Sequence, residues 1–200
     1  MIYLDYQATT PLAPEAREAM LRWLDGPGGG GFGNPHSAHR MGRMAKAAVE
    51  LARDQVAALM PPGGRVVFTS GATEAINLAI RGTGGPGNVA VSAIEHAAVL
   101  DTAPGAHRLA VNGDGVCDPE QPLPVDTRLV AVMQVNNEIG TVQPTPDWQR
   151  KAKAAGALFL CDAVQAYGKI AVAGADLIAI SAHKLYGPKG VGALWVRDGV

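Results

Sequence analysis

One lysine, Lys184, stands four positions after the end of an apolar run at 177–180 that is typical of a buried strand. Serine, histidine and glycine residues surround it in the stretch 181–190. In an α/β enzyme, a lysine at the carboxyl end of a strand is placed to hold a Schiff base with a phosphate-bearing cofactor. Most lysines are solvated loop residues. The interpretation therefore depends on whether the rest of the chain supplies the cofactor's other partners.

A phosphate site is indicated where the predicted strand 65–69 meets a glycine turn and the start of a helix, in the sequence Ser-Gly-Ala-Thr-Glu at 70–74. A helix that begins in this way offers free backbone N–H groups and the positive end of its dipole to a phosphate, with the Thr73 hydroxyl as an added donor. The alternative is that Ser70 or Thr73 only caps the helix.

Further polar residues follow predicted strands in the same manner. Asp162 comes after the apolar run 157–161, and a carboxylate there can keep a heteroaromatic nitrogen protonated, which makes pyridoxal phosphate an electron sink. His96 follows a strand at 88–92 and could stack on a planar cofactor and move a proton near neutral pH. The amide of Asn137 ends another predicted strand. Read alone, Asp162 could equally be a turn residue and His96 a structural histidine.

Short apolar strands alternate with helices through most of the chain, which predicts an α/β fold with a mainly parallel central sheet flanked by helices on both faces. Ligands bind such sheets beyond the carboxyl ends of the strands. We predict an N-terminal arm at 1–13, a single domain at 14–200, and Thr145 as the N-cap of the last helix. Predicted helices are 14–23, 37–60, 73–81, 96–102 and 146–155, and predicted strands are 65–69, 88–92, 108–111, 128–135, 157–161, 177–180 and 191–196.

Composition excludes several classes of function. The 200 residues carry a net charge of −1, with basic residues scattered rather than clustered, so direct nucleic-acid binding is not expected. No apolar stretch is long enough for a membrane span and no leader pattern opens the chain, which favours a cytoplasmic location. Cys117 and Cys161 form no Cys-x-x-Cys pair, and His36 and His39 lack a third ligand, so we predict no metal site. We expect Cys161 to be a buried structural thiol.

Taken in order, these motifs resemble those of the cysteine desulfurases, pyridoxal-phosphate enzymes of the class V aminotransferase group. The resemblance implies the large domain of a fold type I transferase and covers nearly the whole chain. The Gly-Pro-Lys-Gly sequence at 187–190 resembles the subgroup that supplies sulfur for iron–sulfur clusters and tRNA thiolation. The matching segments are 3–11, 33–39, 70–74, 95–96, 135–140, 162–165 and 181–184.

The resemblance also implies roles for individual residues. Lys184 would be the Schiff-base lysine and the base that removes the substrate's α proton, and His96 would stack on the ring and act as acid and base. Asp162 would pair with the pyridinium nitrogen, Gln165 with the phenolic oxygen, and Asn137 with cofactor or substrate. The remaining implied contacts are to the phosphate, from Ala72, Thr73, Ser181 and His183, and to the substrate carboxylate, from Asn34.

The implied reaction converts L-cysteine to L-alanine and an enzyme-bound persulfide, in a homodimer that passes sulfur to an iron–sulfur scaffold or another acceptor protein. In this family the attacking cysteine lies on a loop, and a carboxylate-binding arginine on a small domain, beyond the part that this chain matches. We therefore expect little turnover by these 200 residues alone. The alternatives are another class V enzyme, such as a selenocysteine lyase or an aminotransferase, and a fragment that binds pyridoxal phosphate without turnover.

Overall fold

The computed structural model describes residues 2–28, 30–83 and 85–200, and its centre is a seven-stranded sheet. Each predicted strand and helix is present, with shifted ends. Short 3-10 turns lie at Gly26–Gly28, Pro86–Asn88 and Ala182–Lys184. The strands are β1 (Gly64–Thr69), β2 (Val89–Ser92), β3 (His107–Leu109), β4 (Leu129–Ala131), β5 (Leu158–Asp162), β6 (Leu177–Ser181) and β7 (Gly192–Arg197). The helices are α1 (Pro14–Leu24), α2 (Arg40–Ala57), α3 (Ala72–Gly82), α4 (Ala97–Leu100) and α5 (Thr145–Ala154).

The sheet has the strand order β1-β7-β6-β5-β4-β2-β3 and is mainly parallel, as predicted. Strands β2 to β6 pair in parallel with one another. Strand β7 runs antiparallel to both β6 and β1, because the connection at 182–191 holds only a short turn and no crossover helix. Since β1 and β6 each oppose β7, they point the same way, and their carboxyl ends lie at one edge of the sheet.

The first residue of β7, Gly192, pairs with the last residues of both neighbouring strands, Thr69 and Ser181. A Cβ atom added to Gly192 would lie 2.5 Å from the Cα atom of Gly71 and 2.6 Å from the carbonyl oxygen of Ile180. The missing side chain therefore lets the turn after β1 lie directly against the end of β6. Through this contact the predicted phosphate turn and the lysine-bearing turn become neighbours.

Helices cover both faces of the sheet, as the alternating pattern predicts. On one face Trp148 of α5 is buried in a cluster with Phe159 and Trp195 from the strands. On the other face Ile76 and Ile80 of α3 pack in a separate cluster around the same strands. None of the described helices is long and apolar enough to span a membrane.

Two local predictions need correction. Thr145 is not an N-cap: it is the first residue of α5, and Pro144 occupies the cap position without any side-chain hydrogen bond. Strand β4 ends at Ala131 rather than at 135. Residues 132–134 still lie beside β5, since the Val132 N–H donates to the Leu160 carbonyl at 3.2 Å and the Gln134 N–H donates to the Asp162 carbonyl at 2.9 Å. Val135 then pairs with Val142 at a single bridge.

The predicted N-terminal arm, of which Met1 lies outside the described residues, runs along the turn that follows β6. The Thr10 N–H donates to the His183 carbonyl at 2.8 Å, and the Ala13 N–H donates to the Tyr186 carbonyl at 2.9 Å. The arm thus meets a part of the chain that is distant in sequence, and it reaches the edge where the strands end.

Candidate active site

A cavity of about 570 Å³ lies at the carboxyl edge of the sheet. The turns after β1, β2, β4, β5 and β6 contribute its walls, as expected for a parallel sheet. Asn34 does not line this cavity, and its side chain instead accepts a hydrogen bond from the His36 N–H at 2.9 Å. The structure brings every other predicted site residue to the cavity: Ala72, Thr73, His96, Asn137, Asp162, Gln165, Ser181, His183 and Lys184.

The N-terminus of α3 opens onto the cavity. Gly71 is its N-cap and no side chain caps the helix, so the reading in which Ser70 or Thr73 serves only as a cap finds no support. Two hydrogen bonds stabilise the turn before the helix: the Thr69 hydroxyl donates to the Gly71 carbonyl at 2.9 Å, and the Ser70 N–H donates to the carboxylate of Glu74, in the first turn of α3, at 2.6 Å. First-turn N–H groups left free in this way suit a phosphate.

Asp162 is buried at the end of β5, where it lines the cavity. One carboxylate oxygen accepts a hydrogen bond from the Val164 N–H at 2.9 Å. Asp162 therefore also stabilises the turn after β5, which is the alternative that the sequence left open. Burial raises the pKa of Asp162, and the charges of His96 and Lys184 act in the opposite direction. A buried carboxylate of this kind is stabilised by a cation placed in the cavity.

His96 caps the short helix α4. Its Nδ1 atom accepts a hydrogen bond from the Ala98 N–H at 3.0 Å, so Nδ1 carries no proton and the neutral ring has its proton on Nε2. This leaves Nε2 as the nitrogen able to exchange a proton with a ligand. The histidine therefore has a structural role as a helix cap, and its stacking and acid–base roles stay predictions.

Glu95, for which the sequence suggested no role, links the end of β2 to the segment that follows β4. Its Oε1 atom accepts hydrogen bonds from the Ser92 hydroxyl at 2.8 Å and the Met133 N–H at 2.7 Å. Its Oε2 atom is buried and has no partner among the described residues. Burial, with a contribution from the negative charge of Asp162, raises the pKa of Glu95 to about 8. The neutral acid is therefore the favoured form at pH 7.

The amine of Lys184 is held by the N-terminal arm. Its Nζ atom donates to the Gln7 carbonyl at 2.6 Å, and the Gln165 side-chain amide donates to the same carbonyl at 2.9 Å. The other side-chain atom of Gln165 accepts from Lys169 at 3.0 Å. Burial lowers the pKa of Lys184, and the charge of Lys169 lowers it further, while Asp162 acts in the opposite direction.

His183, Asn137 and Ser181 complete the predicted set. The His183 Nδ1 atom lies 3.1 Å from the Thr9 hydroxyl, and burial lowers the pKa of the ring, with the nearby charge of Lys184 adding to the effect. The Asn137 amide donates to the Glu138 carboxylate at 2.6 Å. Sequence reasoning gave no role to several other lining residues, although the resemblance included most of their segments: Ala8, Thr9, Glu74, Met133 and Lys189.

Both cysteines are fully buried and neither lines the cavity. Burial raises the pKa of Cys117 to about 12 and raises that of Cys161 well above its ordinary value. The prediction that Cys161 is a buried structural thiol is confirmed. Since a thiolate is the reactive form of cysteine, neither residue is suited to nucleophilic attack at this site.

Comparison with known proteins gives one consistent result. The sequence matches the family described as "Aminotransferase class-V" over residues 2–200. It is 45% identical to the mitosomal cysteine desulfurase of Trachipleistophora hominis, covering 98% of this chain and 49% of that protein. It is 42% identical to the cysteine desulfurase IscS of Dictyoglomus turgidum, covering 99% and 54%.

Solved structures agree with the sequence relatives. A NifS-like protein from Rickettsia africae superposes with a TM-score of 0.88 at 32% identity, covering 100% of this chain and 59% of that one. SspA in complex with cysteine gives a TM-score of 0.88 at 34% identity, covering 99% and 62%. The chain thus spans about half the length of the curated relatives that it matches.

Proposed function

The chain belongs to the class-V aminotransferase family, and from this premise we propose that it is the cofactor-binding portion of a pyridoxal-phosphate-dependent cysteine desulfurase. The observation that carries the proposal is the meeting, in one cavity, of the uncapped N-terminus of α3, the buried carboxylate of Asp162 and the amine of Lys184. The N-terminus of α3 would hold the cofactor's phosphate, the Asp162 carboxylate its ring nitrogen, and the Lys184 amine its aldehyde.

The donor set fits the cofactor. Free N–H groups of Ala72 and Thr73 suit the phosphate. Asp162 needs a nearby cation because burial disfavours its charge, and a protonated ring nitrogen supplies one. When bound, pyridoxal phosphate supplies an electron sink for negative charge at the substrate's α carbon. The chain's contribution is to hold the ring, to keep its nitrogen protonated and to move protons beside it.

Two residues are suited to proton transfer. The pKa of Lys184 is lowered by burial and by Lys169, which increases the fraction of free amine near neutral pH and favours a general base. We assign to its Nζ atom the removal of the substrate's α proton. His96 would exchange protons through Nε2, because Nδ1 is engaged by the Ala98 N–H.

The proposed overall reaction converts L-cysteine to L-alanine. The carbon–sulfur bond breaks as a thiolate of the enzyme takes the sulfur atom and forms a sulfur–sulfur bond, and the electron pair left on the β carbon is protonated. Cys117 and Cys161 are buried with raised pKa values. We therefore expect the attacking thiolate to come from outside these 200 residues, which favours cofactor binding without turnover by this chain alone.

The alternatives differ in product. A transaminase would need a keto-acid acceptor, and a selenocysteine lyase would prefer selenium over sulfur. The similarity to a protein solved in complex with cysteine favours cysteine as the substrate. In a longer protein containing this chain, alanine formed from L-cysteine without an added keto acid would distinguish desulfuration from transamination.

The proposal extends to assembly and partners. A homodimer is favoured by unburied apolar surface: no residue of α1 is buried, Leu24 is 71% exposed and Leu51 is 59% exposed. An iron–sulfur scaffold or another acceptor protein would receive the sulfur, and a cytoplasmic location is proposed from the sequence pattern alone.

The test is cofactor attachment. Purified chain mixed with pyridoxal phosphate and reduced with borohydride should carry a pyridoxyl group on the peptide that contains Lys184, measured by mass spectrometry. Lys184→Ala should lose this group, whereas Lys189→Ala, which removes another amine lining the cavity, should keep it. A label spread over many lysines, or one that persists in Lys184→Ala, would refute the proposal.

A further inference from the structure

Thr10 of the N-terminal arm is hydrogen-bonded to the turn that carries Lys184. Its backbone N–H and its hydroxyl both donate to the His183 carbonyl, at 2.8 and 2.9 Å. The same hydroxyl oxygen accepts from the Tyr186 N–H at 2.6 Å. Thr10 is itself only 8% exposed. The contacts therefore lie on both sides of Lys184, in a part-buried cluster that we call the Thr10 clasp: Thr10, the His183 carbonyl and the Tyr186 N–H.

The turn inside the clasp has a backbone that needs outside support. Tyr186 has a φ of +63°, and in the described part of the chain it is the one residue other than glycine with positive φ. This left-handed conformation is costly for a bulky side chain and persists only where the surroundings enforce it. Two hydrogen bonds hold Tyr186 in this conformation. Its N–H donates to the Thr10 hydroxyl, and its carbonyl accepts from the Ala13 N–H at 2.9 Å.

The clasp also determines what the Lys184 amine contacts. Gln7 precedes Thr10 by a single turn of the arm, and its carbonyl accepts from the Lys184 Nζ atom at 2.6 Å and from Gln165 at 2.9 Å. If the arm moved away, both side chains would lose their shared acceptor. Anchoring Thr10 is therefore what keeps Gln7 against the amine.

We propose that Thr10 is a positioning residue for Lys184, acting through the clasp on the lysine-bearing turn and through Gln7 on the amine. Its importance for cofactor chemistry rests on the proposed function, but its effect on the lysine does not. Removing the hydroxyl leaves the part-buried Tyr186 N–H without its acceptor and removes one of the donors to the His183 carbonyl. Losing hydrogen bonds of ordinary strength in this way would raise the population of detached arm by roughly five- to thirty-fold.

The experiment measures the rate at which an acetylating reagent modifies Lys184 in cofactor-free chain, relative to the exposed Lys153 on α5 in the same molecule. Thr10→Val, which keeps the shape and loses the hydroxyl, should raise the relative rate several-fold. Thr10→Ser should restore it. Thr127→Val is the matched control, since Thr127 is 6% exposed and its hydroxyl donates to the Pro124 carbonyl at 2.8 Å, outside the cavity.

Unchanged Lys184 labelling in Thr10→Val would overturn the inference, and so would an equal rise in Thr127→Val, because that would indicate general loosening. A second measurement needs no variant: in unmodified chain the Tyr186 amide should exchange slowly with deuterated solvent, although the side chain is 52% exposed, and fast exchange would contradict the clasp. Failure of the unmodified chain to attach pyridoxal phosphate would refute the proposed function and leave both measurements interpretable.

Discussion

Glu95 is a buried carboxyl group beside the candidate active site. It accepts two hydrogen bonds through one oxygen and none through the other in the described part of the chain. It stands next to His96 in sequence and close enough to Asp162 for their charges to interact. When Glu95 is neutral, the site does not contain a second buried negative charge. The carboxylate of Asp162 is then the anion that would pair with a protonated ring nitrogen.

Glu95 should make the stability of the chain pH-dependent. Its pKa is about 8 when folded, against an ordinary value of 4.5. Between these values the folded state keeps a proton that the unfolded state has lost, so the free energy of unfolding should fall as pH rises from about 5 to 8, by on the order of several kcal/mol. Below the lower value both states are protonated and the stabilisation is fully present.

Glu95→Gln should remove most of this slope, because an amide keeps the shape and does not titrate. Denaturant unfolding of both proteins at pH 5, 6, 7 and 8 would measure it. Equal slopes in the two proteins would mean that Glu95 is ionised when folded and that another group causes the pH dependence.

The sequence predicted the residues at strand ends better than the network beneath them. Asp162, His96 and Lys184 could be found because each follows an apolar strand, and such ends converge in a parallel sheet. The contacts of Glu95 with Met133, and of Gln7 with Lys184, link segments whose proximity depends on the folded topology. No local pattern encodes them.

Among the elements, strand β7 brings together the two halves of the site. Its start at Gly192 lies between the ends of β1 and β6. The apolar runs predicted both β1 and β7 closely, since strand existence follows from local composition. The direction of β7, antiparallel to both neighbours, was not predicted, because it depends on the length and contacts of the connection at 182–191 that joins β6 to β7.

Gly192→Ala should disturb the phosphate turn. The added methyl group would lie 2.5 Å from the Cα atom of Gly71, which is backbone and cannot simply move aside. We expect a loss of stability of about 1–3 kcal/mol and a weaker affinity for pyridoxal phosphate, measured by thermal unfolding and by titration with the cofactor. Gly113→Ala is the control, because no atom of the described residues, apart from those of its chain neighbours, lies within 4 Å of the position a Cβ would take there. Equal effects of the two substitutions would contradict this account.

At the scale of the whole molecule, large apolar side chains remain uncovered on the arm and on the first two helices, among them Leu4, Leu24 and Leu51. The chain also spans about half the length of its curated relatives. Exposed apolar surface on this scale favours association over a free monomer.

We expect the purified chain to associate as its concentration rises. Light scattering across a concentration series should give a mass above the 20.6 kDa of one chain. Leu24→Glu, on a helix with no buried residue, should reduce the association without lowering the thermal stability. A monomeric mass at every concentration would contradict the expectation that the exposed apolar surface drives association.

The pairing of β1 with β7 has a consequence for the order of events during protein synthesis. Strand β1 lies at the sheet edge, with β7 as its neighbour, and Thr10 meets a partner 173 residues later. A growing chain would expose β1 and the arm, unpaired, until residues 183–197 had left the ribosome. Contacts so distant in sequence form late and slowly, so the nascent chain would present an open strand edge to chaperones or to neighbouring copies. The cavity would then form only after residues 183–197 had been made.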